Sequence, residues 1–266
     1  MVITGSAGVV GRAVRRALQD DHDLILLDRW PQRVDVGTPV QADITDWRTV
    51  RSCLEPHGPI DALIHLAFAR TYDELAPEDQ SVLHLDVTAR GTWIALNEAH
   101  RLGAGLCVFA SSLSVYGHID RSAPLDETVD PFTFDSADDY GLSKLLAEDI
   151  VHHFVARRGM RGIVLRLAAV HEPGVMERRG THVDDVAAAF RLALESDIAG
   201  FEVFNLTPDN PGWAVSNAKA KLVLGWTPKH TFEDRPELAS WNQPPQPPPE
   251  AIGPPMGAIG DEAGNG

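Results

Sequence analysis

Cysteine is scarce in this chain, basic charge is outweighed, and no apolar run is long enough to span a bilayer. The two cysteines, Cys53 and Cys107, stand far apart and form no C-x-x-C. Both fall in segments that read as core or core-facing, where a free thiol behaves as a small hydrophobe. Reduced thiols and a cytoplasmic setting are therefore expected. Lysine and arginine total 23 against 38 aspartates and glutamates, a net charge of −15. That balance argues against partners read through phosphates, whether nucleic acid or an anionic membrane. No spacing of His, Asp or Glu resembles a metal centre, so no metal is expected. Nor does a charged start with an apolar leader open the chain. Met1 to Thr4 runs straight into a glycine loop, so no cleaved signal is predicted.

What is present suits one sizeable core, or one core with a small lobe: 266 residues, 44% hydrophobic and 23% charged. Short apolar runs at Met1–Thr4, Leu24–Leu27, Ala62–Leu66, Leu106–Ala110 and Gly162–Leu167 read as buried strands, with a weaker one at Pro39–Ala42 and a later one at Phe201–Leu206. Between them lie helical patterns at Val9–Asp20, Asp46 to about Glu55, Pro77–Leu102, Tyr140–Ala156, Val183–Glu195 and Ser216–Leu224, the last closed by Gly225. Fully apolar strands alternating with helices specify an α/β fold, a doubly wound parallel sheet covered on both faces. The stretch 117–137 reads as a loop, with Asp138 or Asp139 capping the helix after it. Beyond Trp241 aromatics vanish and Pro, Gly, Gln and Asn dominate, so residues 241–266 are predicted to be a disordered tail. The expected division is residues 1–170 for a nucleotide-binding domain and 171–240 for a small substrate lobe interleaved with the last strands.

Gly5, Gly8 and Gly11 stand at the first strand-to-helix junction. That arrangement permits a tight turn, a close approach of backbone to a pyrophosphate, and close helix–strand packing. The N–H groups of the helix that follows attract phosphate. Asp28, about 17 residues beyond Gly11 at the end of the second strand, is suited to accept the two adenosine-ribose hydroxyls and to repel a 2′-phosphate. NAD is thus favoured over NADP, although the adjacent Arg29 keeps NADP open.

Tyr140 and Lys144 form the only Tyr-x-x-x-Lys in the chain. Four residues apart on a helix, they share a face. An ammonium beside a phenol favours the phenolate, so Lys144 is expected to lower the Tyr140 pKa from about 10. Tyrosine then serves as general base for alcohol oxidation, or as acid for the reverse. Ser111-Ser112 precedes this pair at a strand's C-terminal edge. Ser112 is placed to hydrogen-bond the same substrate oxygen.

Taken together, Thr4–Gly11, Asp28, Asp43-Ile44, His65–Ala69, Ser111–Gly117, Tyr140–Lys144, Arg166-Leu167 and His182–Val186 resemble an extended short-chain dehydrogenase/reductase of the NAD-dependent epimerase/dehydratase group. The resemblance implies a Rossmann-type fold and a catalytic trio of Ser112, Tyr140 and Lys144. It also implies NAD contacts from Gly5, Ala7, Gly8, Val9, Val10, Gly11, Asp28, Arg29, Asp43, Ile44, Leu66, Ala67, Ala69, Thr88, Ser111, Tyr140 and Lys144. A homodimer through the helices near 78–102 and 139–157 is implied as well. One departure is Thr88, a hydroxyl where the family often places an amide.

The compact C-terminal text resembles uronate dehydrogenases. Almost no residues separate Pro173-Gly174 from Val183, leaving little room to grip a nucleotide diphosphate, so the substrate is expected to be small, a sugar or sugar acid. Arg178 is offered for a substrate carboxylate, with Ser111 and Ser112 on the reacting oxygen. Leu113, standing where a dehydratase places an acid, excludes sugar dehydration. An epimerase with tightly bound NAD and a non-catalytic NAD-sensing protein stay open beside the oxidoreductase. His65 reads as a packed residue, His152-His153 as helix surface, and Trp213 and Trp226 as lobe core.

Overall fold

The structure is a computed structural model that describes residues 1–70, 74–117, 125–131, 138–171, 180–209 and 214–230. Seven strands form one sheet: β1 (Val2–Thr4), β2 (Ile25–Asp28), β3 (Thr38–Gln41), β4 (Ala62–His65), β5 (Leu106–Ser112), β6 (Arg161–Leu167) and, last in the chain, β9 (Phe201–Leu206). Their order is β3-β2-β1-β4-β5-β6-β9, and every pairing is parallel. Two further strands, β7 (Ala169–His171) and β8 (Gly180–His182), make a separate parallel pair that the sequence pattern did not reveal. At three residues each, they are too short to show a period.

Alternate strand residues point to opposite faces, and each face builds its own core. On one, Ile3, Leu26, Ile64, Val108 and Leu165 meet α1 (Val9–Leu18) and α6 (Val183–Glu195) through Val14, Leu18, Val186 and Phe190. On the other, Val2, Leu27, Leu63, Phe109 and Val164 meet α2 (Trp47–Leu54), α4 (Gly91–Arg101) and α5 (Asp139–Arg158) through Val50, Leu96 and Phe154. Cys107 lies in this second core, where burial pushes its thiol well above the ordinary range. Cys53 packs at its edge.

Where one long helix was expected over 77–102, the chain forms α3 (Pro77–His84), a π-helical stretch Leu85–Arg90, and α4. The Thr92 hydroxyl of α4 donates back to the Thr88 carbonyl inside that stretch, a local bond that competes with the helical ladder. Such widened turns recur at functional sites.

Asp138 caps α5 by accepting from the Gly141 amide. Near the C-terminus the helical turn starts at Ala218 rather than Ser216, because Asn217 is engaged with the Thr207 carbonyl and Asp209. Trp226 is buried and donates to the Asp185 carbonyl, while the Asp185 carboxylate accepts from the amides of Lys229 and His230. These bonds clamp the end of the described chain onto α6. Among the described residues no helix is long and apolar enough to cross a membrane.

Candidate active site

The sheet order reverses between β1 and β4, and in such sheets ligands bind beyond the strand ends at that reversal. A cleft of about 260 Å³ lies there. Its floor is the glycine loop. Gly5 adopts φ +68, and a Cβ there would sit 2.8 Å from the Leu66–Ala67 backbone. A Cβ on Gly11 would lie 2.4 Å from the Gly5 carbonyl oxygen. Side chains at these points would fill the cradle or push α1 away from it. The N-terminus of α1 begins just after Gly8, so its free N–H groups and partial positive charge face the cleft.

Asp28 is buried at the rim. One carboxylate oxygen accepts from the Ala7 amide at 2.9 Å and the other from the Trp30 amide at 3.0 Å. Each oxygen keeps a second lone pair that can accept a ribose hydroxyl. Asp28 therefore shapes the glycine loop as well as facing the ligand space. Arg29 lies over the exposed Trp30 ring, 5.0 Å from its centroid, and both line the cleft. Asp43, Ile44, Leu66, Ala67 and Ala69 line it too, as do Ala7, Gly8 and Val9.

Six expected nucleotide contacts do not line this cleft: Val10, Gly11, Thr88, Ser111, Tyr140 and Lys144. Val10 packs against the core beneath α1, and Gly11 sits under the loop rather than at its surface. Thr88 is fully buried, and its hydroxyl has no partner among the described residues. Ser111 is turned away from the cleft. The strand β5 extends two residues further than its apolar pattern, through Ser112, so the adjacent serines point to opposite faces. The Ser111 hydroxyl donates to Glu148 Oε1 at 2.5 Å inside the protein, which corrects its expected role on the substrate oxygen.

The Ser112 hydroxyl, by contrast, bonds Ser114 and acts on the Tyr140 phenol, pulling its pKa down. Lys144 is buried, and its Nζ donates to the Ala110 carbonyl at 2.8 Å. It lies 5.1 Å from the Phe109 ring centroid, 5.2 Å from Phe68 and 5.9 Å from Tyr140. Burial lowers its pKa to about 7, with Glu148 opposing the fall. Burial also raises the Tyr140 pKa. The Ser112 hydrogen bond pulls it down and Asp138 adds to the rise. The expected depression by Lys144 is not what sets this pKa: the ammonium is bonded to a carbonyl rather than to the phenol, and the phenol is largely out of water.

Phe68, His84 and His65 complete the site, and only His84 lies outside the text that carried the resemblance. Phe68 lines the cleft and stands edge-on to Tyr140, joining the nucleotide side to the proton-transfer side. His84 is buried with its ring 5.4 Å from that of Tyr140. His65 bonds Thr4 Oγ1 through Nδ1 at 2.6 Å and Thr92 Oγ1 through Nε2 at 2.9 Å, and the same Thr4 oxygen accepts from the amides of Leu66 and Ala67. A helix pattern does not say which sheet residue it will face, so these partners could not be read in advance.

Donor side chains of His182, Asp184 and His230 also gather, within 4.8 Å of one another. The two imidazoles are stacked at 3.8 Å and nearly parallel, so their in-plane lone pairs run side by side instead of converging on one point. The His182 Nδ1 lone pair already accepts from the Asp184 amide. Arg178, Trp213 and residues 241–266 fall outside the described residues.

Residues 1–180 match the model of the NAD dependent epimerase/dehydratase family. An NAD-dependent glucose-6-phosphate dehydrogenase of Haloferax volcanii is 27% identical over 263 residues, covering 89% of this chain and 97% of that one. A uronate dehydrogenase of Pseudomonas syringae pv. tomato is 25% identical over 242 residues, covering 88% and 82%. Among solved structures, a mutated uronate dehydrogenase superposes with TM-score 0.72 at 26% identity, covering 86% of this chain and 81% of that one. With the glycine cradle, the strand-end acid and the Tyr140–Lys144 pair in place, this chain belongs to the NAD-dependent epimerase/dehydratase family of enzymes.

Proposed function

We propose that the protein is an NAD-dependent oxidoreductase acting on a small hydroxyl or carbonyl substrate of sugar or sugar-acid type, with Ser112, Tyr140 and Lys144 as its catalytic residues. The observation that carries this reading is the placement of Ser112 at the end of β5 beside the Tyr140–Lys144 face of α5, where Phe68 of the cleft wall stands edge-on to the Tyr140 ring. The backbone of Gly5–Val9 suits a pyrophosphate, Asp28 a ribose, and Asp43 with Ile44 an adenine edge. When bound, NAD supplies the hydride acceptor or donor for the reacting carbon.

The protein's own part is proton transfer and orientation. Ser112 donates to the substrate oxygen and aligns it with the phenol. Tyr140 takes the hydroxyl proton during oxidation and returns it during reduction. Lys144, when protonated, stabilises the phenolate that this transfer creates and holds the nicotinamide ribose. The raised phenol pKa means that the tyrosine rests protonated, as an acid for carbonyl reduction, until positive charge gathers near it.

The named activities of the similar dehydrogenases support a sugar-type substrate. Arg178 is proposed for a substrate carboxylate. We further propose a homodimer in the cytoplasm. Val82 of α3, Leu85 of the π-helical stretch and Trp93 of α4 are apolar and exposed, and Trp93 meets His153 of α5, which supports a dimer contact through these helices. Both cysteines are free.

The test is a screen of aldoses, sugar acids and small secondary alcohols with NAD and NADP, read by the absorbance of reduced cofactor. Wild type is expected to form NADH only with substrate present. Tyr140→Phe is expected to lose about 10²–10⁴-fold in kcat with NAD affinity kept. Undiminished turnover in that variant refutes the assignment. Interconversion of sugar epimers with no net NADH, from protein that retains NAD through purification, would identify an epimerase instead.

A further inference from the structure

Two consecutive residues at the end of β5 are tied to α5 by hydrogen bonds, and a third lies beside it. The Ala110 carbonyl accepts from Lys144 Nζ at 2.8 Å and the Ser111 hydroxyl donates to Glu148 Oε1 at 2.5 Å, while the Ser112 hydroxyl acts on the Tyr140 phenol. Their helix partners are spaced four apart and share one face of α5. The proton-transfer scheme uses Tyr140 and Lys144 and leaves Glu148 without a part.

Glu148 is nonetheless the most heavily engaged of the three. Arg166 of β6 grips it bidentately, Nε to Oε1 at 3.0 Å and the second guanidinium nitrogen to Oε2 at 2.7 Å, with the two side chains 5% and 7% exposed. The remaining guanidinium nitrogen donates to the Tyr116 hydroxyl at 2.8 Å, and that hydroxyl donates to Asn205 Oδ1. The carboxylate is thus fixed by buried partners on two strands, Ser111 of β5 and Arg166 of β6.

We propose that Glu148 is a positioning residue of this active site: by anchoring Ser111 it sets the Ala110 carbonyl and the Ser112 hydroxyl on either side, and it supplies the buried negative charge that Lys144 faces. The inference rests on the oxidoreductase reading above. Other charged or titratable groups around Lys144 do not supply that charge. His65 on β4 is held neutral, His84 on α3 is pushed toward neutrality by burial, and Arg166 on β6 is cationic. Asp138 and Asp139, at the start of α5, are exposed to water, unlike buried Glu148. The aromatic rings of Phe68, Phe109 and Tyr140 fill the rest. Glu148 alone acts on Lys144 against its burial. With the carboxylate removed, less of the ammonium survives at neutral pH to stabilise a phenolate.

The chain has only four lysines, Lys144, Lys219, Lys221 and Lys229, so each can be followed by carbon NMR in lysine-labelled protein, with Lys144→Met assigning the signal. Three forms are compared: wild type, Glu148→Gln, and the paired variant Glu148→Leu/Arg166→Met, which removes both charges while keeping the site filled. In Glu148→Gln and in the paired variant the Lys144 titration midpoint is expected to fall by about one pH unit or more. Turnover at pH 7 is expected to fall roughly tenfold as the lysine's charged fraction drops. A folded paired variant with wild-type Lys144 midpoint and wild-type turnover would overturn the proposal. So would loss of the fold in both variants, which would make Glu148 a structural residue only. The NMR titration needs no substrate, so a protein that turns nothing over, yet shows the Lys144 shift, counts against the oxidoreductase reading and not against Glu148.

Discussion

The imidazole of His65 donates through Nε2 to the hydroxyl of Thr92, and this single bond joins the end of β4 to the long helix. The direction follows from the neighbours. Thr92 gives its own proton to the Thr88 carbonyl, so its oxygen must accept from the ring. Nδ1 is then bare and accepts from Thr4, whose oxygen in turn receives the amides of Leu66 and Ala67 at the cleft edge. Burial, helped by the nearby Lys144 charge, lowers the His65 pKa to about 3, which keeps the ring neutral.

Thr92→Val removes that acceptor and leaves a buried N–H unpaired. The expected cost is about 1–3 kcal/mol, seen as a Tm lower by several degrees, with Thr92→Ser close to wild type. A Thr92→Val protein that melts with wild type would mean that the ring has another partner.

Gly11→Ala places a methyl 2.4 Å from the Gly5 carbonyl oxygen and 2.6 Å from the Ser6 Cα, both backbone, so α1 must shift. Overpacking of this kind costs about 1–3 kcal/mol or more. Because the shift moves the phosphate-facing amides, NAD affinity is expected to drop more than stability does. Calorimetric titration with NAD beside a thermal melt separates the two.

Asp28→Ala deletes the acceptor for the Ala7 and Trp30 amides along with the proposed ribose contact. The NAD dissociation constant is expected to rise about 10- to 100-fold, matching the worth of hydrogen bonds to a charged group. NADP should lose less, since a carboxylate no longer opposes the 2′-phosphate and Arg29 stands next to it. An unchanged ratio of the two affinities would remove Asp28 from cofactor selection.

Two buried bases make stability depend on pH in two windows. Lys144 titrates at about 7 in the fold against 10.5 in the open chain. Between those values the unfolded state binds more protons, so stability rises with pH. His65 does the same between about 3 and 6.5. The penalty on Lys144 is full below pH 7 and fades toward 10.5. Lys144→Met should therefore be more stable than wild type at pH 6.5, by up to a few kcal/mol, roughly, with the gap narrowing by pH 9. Urea unfolding at the two pH values checks the sign, and a gap that widens with pH contradicts it.

The sequence by itself determined the parallel sheet, its covering helices, the glycine cradle and the Tyr140–Lys144 face, because these are local: a strand period, a glycine spacing, one helical turn. Tertiary structure alone decided what those residues meet. Adjacent serines diverge because β5 runs on to Ser112, sending Ser111 to Glu148 and leaving Ser112 with Ser114. The lysine was expected from proximity in sequence to lower the phenol pKa, yet burial raises it, and burial depends on how strands and helices from the whole chain close over the site. His84 against Tyr140, Arg166 on Glu148 and His182 on His230 join residues dozens of positions apart. Periodicity carries which face of an element is apolar, but not which partner that face will find.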